Sequence, residues 1–336
     1  MLTMIREATR GAGPALAAGL AAAGFLLAPA RAQQTETPAA TAEPGGGSVG
    51  VVEAAFDDEV SVSWILVPVI VKSKKGYVEG LGRDDFELRV GSRRVAFQDF
   101  EQRGEAPWSL VFLQDLSGSM ANGGRLEASQ EAVRYFLNRS RPGDEFALAT
   151  FAGETTTVEI PFTEDLVAVR DAVSRWEGYG KTALHDAGAW LPDISGDSRN
   201  VKRAAVLLTD GQDTASRMSA AEARELVRSA ELPVYVLGLE SGDPFEVRNG
   251  EKVYQYADVL NLLARFTGGR YFPIRDPDDL KEACATIAED MRYQYVLGFD
   301  TAATGKAEWR SISVVVKKRG VQVVARRGYR GTPPAR

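Results

Sequence analysis

The chain has 336 residues, of which 44% are hydrophobic, so it is long enough to bury a substantial core and to form two domains. Its formal net charge of −6 lacks the strong basic excess that gives nucleic-acid binders their non-specific affinity, and we expect no nucleic-acid partner. Cys284 and His185 are the only residues of their kinds. This excludes an internal disulfide, and it leaves too few soft ligands for a structural zinc site.

The N-terminus has the pattern of a secretory signal peptide. Arg6 and Arg10 precede an apolar run at about 15–27, and Ala30-Arg31-Ala32 offers a small-residue cleavage site. The run is shorter than the ~20 residues that cross a bilayer, so we expect cleavage after residue 32 and no membrane span afterwards, an uncleaved anchor being the alternative. The mature protein is then expected in the periplasm or outside the cell. Residues 33–50 are predicted to be a flexible linker.

Segments at both ends of the remaining chain are predicted to form β-strands. The strand-like runs are Val60–Val71, Phe86–Val90, Tyr295–Phe299, Ile312–Val316 and Val321–Val324. Neither end has enough strands for a stable sandwich by itself. We therefore expect 51–105 and 292–332 to pair into one small β-sandwich domain.

The middle of the chain, 106–291, alternates apolar strands with amphipathic helices. The predicted strands are Leu110–Leu113, Phe146–Phe151, Ala204–Leu208 and Val234–Leu239. Strands that are apolar on both faces indicate a parallel sheet covered by helices on each side, which is a Rossmann-like three-layer α/β sandwich. The last helix is predicted from an Asp276 N-cap and Pro277 to about Met291. Cys284 lies on its apolar face, where we expect it to be buried.

Polar side chains follow two of the apolar strands. Asp115, Ser117 and Ser119 come after the first strand, and Asp210 comes after the third. Because the carboxyl ends of parallel strands meet at one edge of a sheet, these side chains are expected to face one site. Carboxylate and hydroxyl oxygens are hard ligands that suit Mg²⁺, Mn²⁺ or Ca²⁺.

The motif Asp115-x-Ser117-x-Ser119, with Thr182 in Gly180–Leu184 and Asp210 in Leu208–Gly211, resembles the metal-ion-dependent adhesion site of von Willebrand factor type A domains. The resemblance covers about residues 107–275. It implies that the two serines and the threonine approach the ion, and that the two aspartates act directly or through water. It also implies an open position filled by an Asp or Glu carboxylate of a partner protein.

The flanking segments look like those of exported bacterial proteins that carry this domain. Tyr77–Leu81 and Tyr295–Phe299 border the domain in that group. The resemblance of these flanking segments implies no well-defined function. The function expected first is that of the domain itself, a non-enzymatic protein-binding module in adhesion or assembly.

Two other functions remain open: a metal-assisted hydrolase using the same ion, or a structural domain with an unoccupied metal site. No general base accompanies the motif, which disfavours the hydrolase. Asp213 is a further candidate at the site, although turn chemistry explains it equally well. Lys317–Arg319 and Arg326-Arg327 are basic; a solvated face beside an edge strand is the favoured reading, and an anionic partner is the alternative.

Overall fold

The computed structural model describes residues 62–102, 104–211, 213–227, 232–240, 247–248, 251–252, 255–302 and 308–331. All of them belong to one unit, Asp58–Arg336. The predicted signal peptide and linker lie outside the described residues, as does the start of the first predicted strand. Within the described ranges, no helix combines the length and apolar character that crossing a membrane requires.

Strands and helices take the following bounds in the described part of the chain. The strands are β1 (Val62–Ser73), β2 (Gly76–Tyr77), β3 (Phe86–Val90), β4 (Arg93–Val95), β5 (Asp99–Glu101), β6 (Trp108–Asp115), β7 (Glu145–Ala152), β8 (Thr155–Thr163), β9 (Lys202–Thr209), β10 (Val234–Leu239), β11 (Val247–Arg248), β12 (Glu251–Lys252), β13 (Tyr271–Ile274), β14 (Tyr295–Ala302), β15 (Trp309–Val316), β16 (Val321–Ala325) and β17 (Gly328–Arg330). The helices are α1 (Arg125–Leu137), α2 (Leu166–Ser174), α3 (Leu184–Gly188), α4 (Leu191–Gly196), α5 (Ala220–Val227), α6 (Gln255–Thr267) and α7 (Pro277–Arg292).

The central sheet has the strand order β13-β10-β9-β6-β7-β8. Neighbouring strands are parallel from β13 to β7, as the apolar runs predict. The edge strand β8 is antiparallel to β7, and the sequence analysis did not identify it. Its side chains are mostly exposed or half-buried, so it lacks the continuous apolar run of the inner strands.

Helices cover both faces of this sheet. One face packs against α1, α2 and α7, and the other against α3, α4 and α6. The expected three-layer α/β sandwich is therefore confirmed. Cys284 of α7 is buried in the first of these layers, as predicted, and burial raises the pKa of its thiol to about 12.

The strands on either side of the central unit pair with each other. β1 is antiparallel to β14, with Val62 opposite Ala302, and β3 is antiparallel to β15. The two resulting sheets, β16-β1-β14-β5 with β2 and β17-β15-β3-β4, contribute to one shared apolar core. Residues 58–336 nevertheless form one unit, so the exact boundaries between the two predicted domains stay a prediction.

Helix α7 connects the central sheet to these flanking strands. Its start follows the predicted cap, because the Asp276 side chain accepts a hydrogen bond from the Asp279 backbone nitrogen at 2.9 Å. Near its other end, the buried Asp290 carboxylate lies 3.0 Å from Lys72 Nζ and accepts a 2.6 Å hydrogen bond from the Tyr77 hydroxyl. The helix is thereby linked to β1 and β2.

Candidate metal centre

Asp115 is the last residue of β6, and its side chain is completely buried. Oδ1 accepts a 2.9 Å hydrogen bond from the Ser117 backbone nitrogen, and Oδ2 accepts a 2.7 Å bond from Thr209 Oγ1. Burial raises the pKa of Asp115 to about 6, although these hydrogen bonds act in the opposite direction. In the described part of the chain no basic side chain pairs with this carboxylate.

The two predicted serines lie on the turn that follows Asp115. Ser117 precedes a short 3-10 helix, Gly118–Ala121, and its hydroxyl oxygen lies 3.1 Å from that of Ser119. Ser117 is buried, whereas Ser119 is half-buried. Two hydroxyls that already touch can turn their lone pairs toward one cation.

Arg125, at the start of α1, supports this turn. Its guanidinium donates a 2.8 Å hydrogen bond to the Ser119 carbonyl and a 2.5 Å bond to Glu240 Oε2. Sequence reasoning missed this contact, because Arg125 and Glu240 are 115 residues apart and no motif joins them.

Thr182 lies on a loop whose backbone is hydrogen-bonded to the serine turn. The Gly118 nitrogen donates to the Gly180 carbonyl at 3.0 Å, and the Tyr179 nitrogen donates to the Leu116 carbonyl at 2.6 Å. Thr182 itself is buried. The loop that carries Thr182 therefore lies directly against the serine turn, which no spacing in the sequence could establish.

A glycine permits this close approach. A Cβ atom at Gly178 would lie 2.8 Å from the Ala121 Cβ and 3.1 Å from the Ser117 carbonyl oxygen. Any side chain at this position would push the two loops apart.

Asp210 follows β9, the strand next to β6, and is largely buried. Its negative charge contributes to the raised pKa of Asp115. Because β6 and β9 are parallel neighbours, Asp115 and Asp210 lie at the carboxyl ends of adjacent strands. The Thr209 hydroxyl connects Asp115 with the turn that carries Asp210. It donates a hydrogen bond to Asp115 and accepts a 3.0 Å hydrogen bond from the Gly211 nitrogen. Thr209 was not identified from the sequence, although it belongs to the same Leu208–Gly211 motif.

Asp213 lies in a loop that is hydrogen-bonded to the segment carrying Thr182. Its Oδ2 accepts hydrogen bonds from the Ser216 hydroxyl at 2.5 Å and the His185 backbone nitrogen at 3.0 Å. In the same loop, the Thr214 backbone nitrogen donates to the Thr182 carbonyl and the Thr214 hydroxyl accepts from the Thr182 nitrogen. These contacts give Asp213 a local structural role, which is the turn chemistry that the sequence analysis offered as an alternative.

The grouping of Ser216, Asp213 and His185 is not a hydrolytic triad. A triad requires the serine hydroxyl to donate to the histidine, which then receives its proton. Here the serine donates to the aspartate, and His185 Nδ1 lies 3.2 Å from the Met218 carbonyl oxygen. The arrangement gives no support to the hydrolase alternative.

The donor set fits a hard divalent cation. Among the described residues, no group of three or more His, Cys, Asp and Glu side chains could hold a metal ion, so a cation here would depend on hydroxyl oxygens as well as carboxylates. The buried Asp115 carboxylate has no basic partner, and a bound cation would supply the missing positive charge.

The fold and the site together define a three-layer α/β domain whose polar loops gather at the carboxyl edge of a largely parallel sheet. Residues 110–212 match the model of the von Willebrand factor type A domain. This chain therefore contains a von Willebrand factor type A domain.

Similar proteins match the chain at low identity. It is 25% identical over 228 residues to the inter-alpha-trypsin inhibitor heavy chain H1 of Mesocricetus auratus, covering 59% of this chain and 24% of that protein. It is 24% identical over 220 residues to a UPF0353 protein of Mycolicibacterium vanbaalenii, covering 60% and 64%. The chain thus spans less than two thirds of these relatives.

Among solved structures, the chain is similar to a von Willebrand factor type A protein from Catenulispora acidiphila. It has 16% sequence identity and a TM-score of 0.47, and the match covers 74% of this chain and 73% of that one.

Proposed function

We propose that this protein binds another protein through a divalent cation held at the edge of the central sheet. The ligands would be Asp115, Ser117, Ser119, Thr182 and Asp210. The observation that carries the proposal is the buried Asp115 carboxylate, which has no basic partner among the described residues and is hydrogen-bonded to the backbone of Ser117, whose hydroxyl touches that of Ser119. When bound, the cation supplies positive charge and an open coordination position for a carboxylate of the partner.

Mg²⁺ or Mn²⁺ suits this donor set better than Ca²⁺. Two carboxylates and three hydroxyls give modest negative charge, and Mg²⁺ is commonly bound by one or two carboxylates while it keeps several waters. Asp115 is held by Ser117 and Thr209, so its carboxylate is oriented before any cation arrives. The role is binding without catalysis.

The rim of the site is suited to a protein partner. Tyr179 is 61% exposed although its backbone is hydrogen-bonded to Leu116, and Lys181 is exposed beside it. An exposed aromatic residue on a well-held loop is a common centre of protein-protein binding energy. The positive charge of Lys181 would attract the acidic group of the partner that is proposed to bind the cation.

The location that we propose is outside the cytoplasm, in the periplasm or beyond. Support comes from the charged, apolar and small-residue order of positions 1–32. N-terminal sequencing of the native protein should find a start at Gln33. A protein that begins at Met1 and is recovered from the cytosol would contradict this location.

Calorimetry with Mg²⁺ and Mn²⁺ tests the ion site. Binding should be lost in Asp115→Ala and in the double variant Ser117→Ala with Ser119→Ala. The matched control is Asp171→Ala, which removes an exposed carboxylate from α2. If Asp115→Ala binds both ions as the unaltered chain does, the metal assignment is wrong.

Crosslinking in native cells, followed by purification with and without a chelator, tests partner binding. We expect a crosslinked protein that disappears with the chelator and with Asp115→Ala. Tyr179→Ala should weaken partner binding but leave Mg²⁺ affinity unchanged. Crosslinks that are identical with and without chelator would exclude a metal-dependent partner.

A further inference from the structure

A basic groove lies at the edge of the central sheet opposite to the candidate metal centre. It has a volume of about 330 Å³ and is lined by Lys72 of β1, Arg265 of α6, Arg270 and Arg327, together with Asp290 of α7. Arg270 directly precedes β13, so it marks the amino end of the parallel strands, whereas Asp115 lies at a carboxyl end.

Three positive charges in this groove have no carboxylate partner in the described part of the chain. The Asp290 carboxylate is engaged through Oδ1, which lies 3.0 Å from Lys72 Nζ and accepts a 2.6 Å hydrogen bond from the Tyr77 hydroxyl, whereas the buried Oδ2 has no hydrogen bond in the described part of the chain. No ion pair joins the three arginines to a carboxylate in the described ranges. Because arginine stays protonated at any physiological pH, the groove keeps a local positive charge within a chain whose net charge is −6.

Aromatic rings lie beside two of the guanidinium groups. Arg270 Cζ lies 5.8 Å from the centre of the Phe272 ring, and Arg327 Cζ lies 5.7 Å from the centre of the Phe266 ring. The Arg327 backbone nitrogen also donates to the Phe266 carbonyl at 3.3 Å. These contacts restrict both arginines, so less side-chain freedom is lost when they bind a ligand.

The wall of the groove is closely packed. Gly268 has a φ of +88°, and a Cβ atom there would lie 2.9 Å from the Arg326 backbone nitrogen. At Gly269 a Cβ would lie 2.1 Å from the Val234 carbonyl oxygen. The turn between α6 and β13 is therefore pressed against its neighbours, which holds Arg265 and Arg270 on a rigid frame.

More basic side chains surround the mouth of the groove. β1 and β16 pair with Ser73 opposite Val321, which places the turns beyond these strand ends side by side. Both turns carry exposed cations, namely Lys74, Lys75, Lys318 and Arg319. Their summed field would draw an anion toward the groove.

We propose that this groove binds a phosphate-type anion, either free in solution or in the headgroup of an anionic phospholipid. Guanidinium groups match phosphate oxygens with paired hydrogen bonds, and three arginines line this groove. The site would act independently of the cation at the opposite sheet edge. The protein could then hold an anionic ligand at one end while a partner occupies the other.

The test uses the full chain with a chelator present, so that the metal site plays no part. Inorganic phosphate is titrated by calorimetry, and vesicles of phosphatidylglycerol with phosphatidylcholine are tested by co-sedimentation against pure phosphatidylcholine. The test variant combines Arg265→Gln, Arg270→Gln and Arg327→Gln. A control that removes the same charge from exposed positions elsewhere combines Arg93→Gln, Arg175→Gln and Lys281→Gln.

We expect binding to phosphate, to anionic vesicles or to both, with at least a tenfold loss in the groove variant and little change in the control. Binding to inorganic phosphate would show that a free anion is a sufficient ligand. Binding to the anionic vesicles but not to inorganic phosphate would show that the ligand is the phospholipid headgroup. An equal loss in both variants would show a diffuse charge effect and overturn the proposal. If the protein binds neither inorganic phosphate nor the anionic vesicles, the proposal is overturned as well.

Folding of the variants is checked by thermal unfolding. If the triple variant does not fold, the single variant Arg265→Gln replaces it, since that side chain has no hydrogen bond or ring contact among the described residues. It should weaken binding about tenfold at an unchanged melting temperature. Unchanged affinity in this folded variant would contradict the proposal.

Discussion

Thr209 Oγ1 donates a 2.7 Å hydrogen bond to Asp115 Oδ2, joining the ends of two neighbouring parallel strands. The same hydroxyl accepts a hydrogen bond from the Gly211 nitrogen, so one side chain orients the buried carboxylate and the turn that carries Asp210. A group of this kind tunes a metal site without being one of its ligands.

Replacing Thr209 by valine should weaken Mg²⁺ or Mn²⁺ affinity about tenfold, because the carboxylate loses its fixed orientation while the shape of the side chain is kept. Calorimetry measures the change. Thr209→Ser retains the hydroxyl and should bind nearly as the unaltered chain does. Equal losses in the valine and serine variants would show that packing, and not the hydrogen bond, supports the site.

Metal affinity should depend on pH through Asp115. Burial raises the pKa of this carboxyl to about 6, and metal binding requires the deprotonated form. Affinity is therefore expected to be constant above about pH 7 and to fall by about tenfold per pH unit below 6, as protons compete with the cation. Titrations between pH 5 and 8 measure it. An affinity that stays constant down to pH 5 would contradict the role of Asp115.

Gly178→Ala should disturb the metal site although Gly178 is not a ligand. The added Cβ would lie 2.8 Å from the Ala121 Cβ and would force the loops of Ser117 and Thr182 apart. We expect a destabilisation of about 1–3 kcal/mol and a clear loss of metal affinity. The matched control is Gly196→Ala, where nothing lies within 4 Å of the new methyl group. Chemical denaturation and calorimetry distinguish the two variants.

The ion pair between Asp290 and Lys72 should stabilise the junction of α7 with the flanking strands. Asp290→Asn is expected to lower the free energy of unfolding by about 2 kcal/mol, because it removes the charge that Lys72 and the Tyr77 hydroxyl contact. The neighbouring Glu289→Gln changes an exposed carboxylate by the same amount and should have little effect. Denaturant unfolding measures both. If Asp290→Asn unfolds like the control, the pair contributes no net stability.

Several features of this protein could be predicted from the sequence. The alternation of apolar runs with amphipathic helices predicted the three-layer fold, because burial on two faces requires continuous apolar strands. The position of Asp115 and Asp210 after two such strands predicted that they share an edge of the sheet. Asp276 and Pro277 predicted the start of α7, which depends only on local capping.

The tertiary structure decided what local patterns do not encode. The edge strand β8 escaped prediction because its half-exposed side chains produce no apolar run. The approach of Thr182 to the serine turn depends on the contact of Gly118 with Gly180, and the groove of Arg265, Arg270 and Arg327 depends on chain segments brought together by packing. Contacts between residues distant in sequence follow from how whole elements pack. The sequence by itself therefore determined the elements and the chemistry at their ends, and only the packing of whole elements decided which of the loops that carry these groups lie in contact.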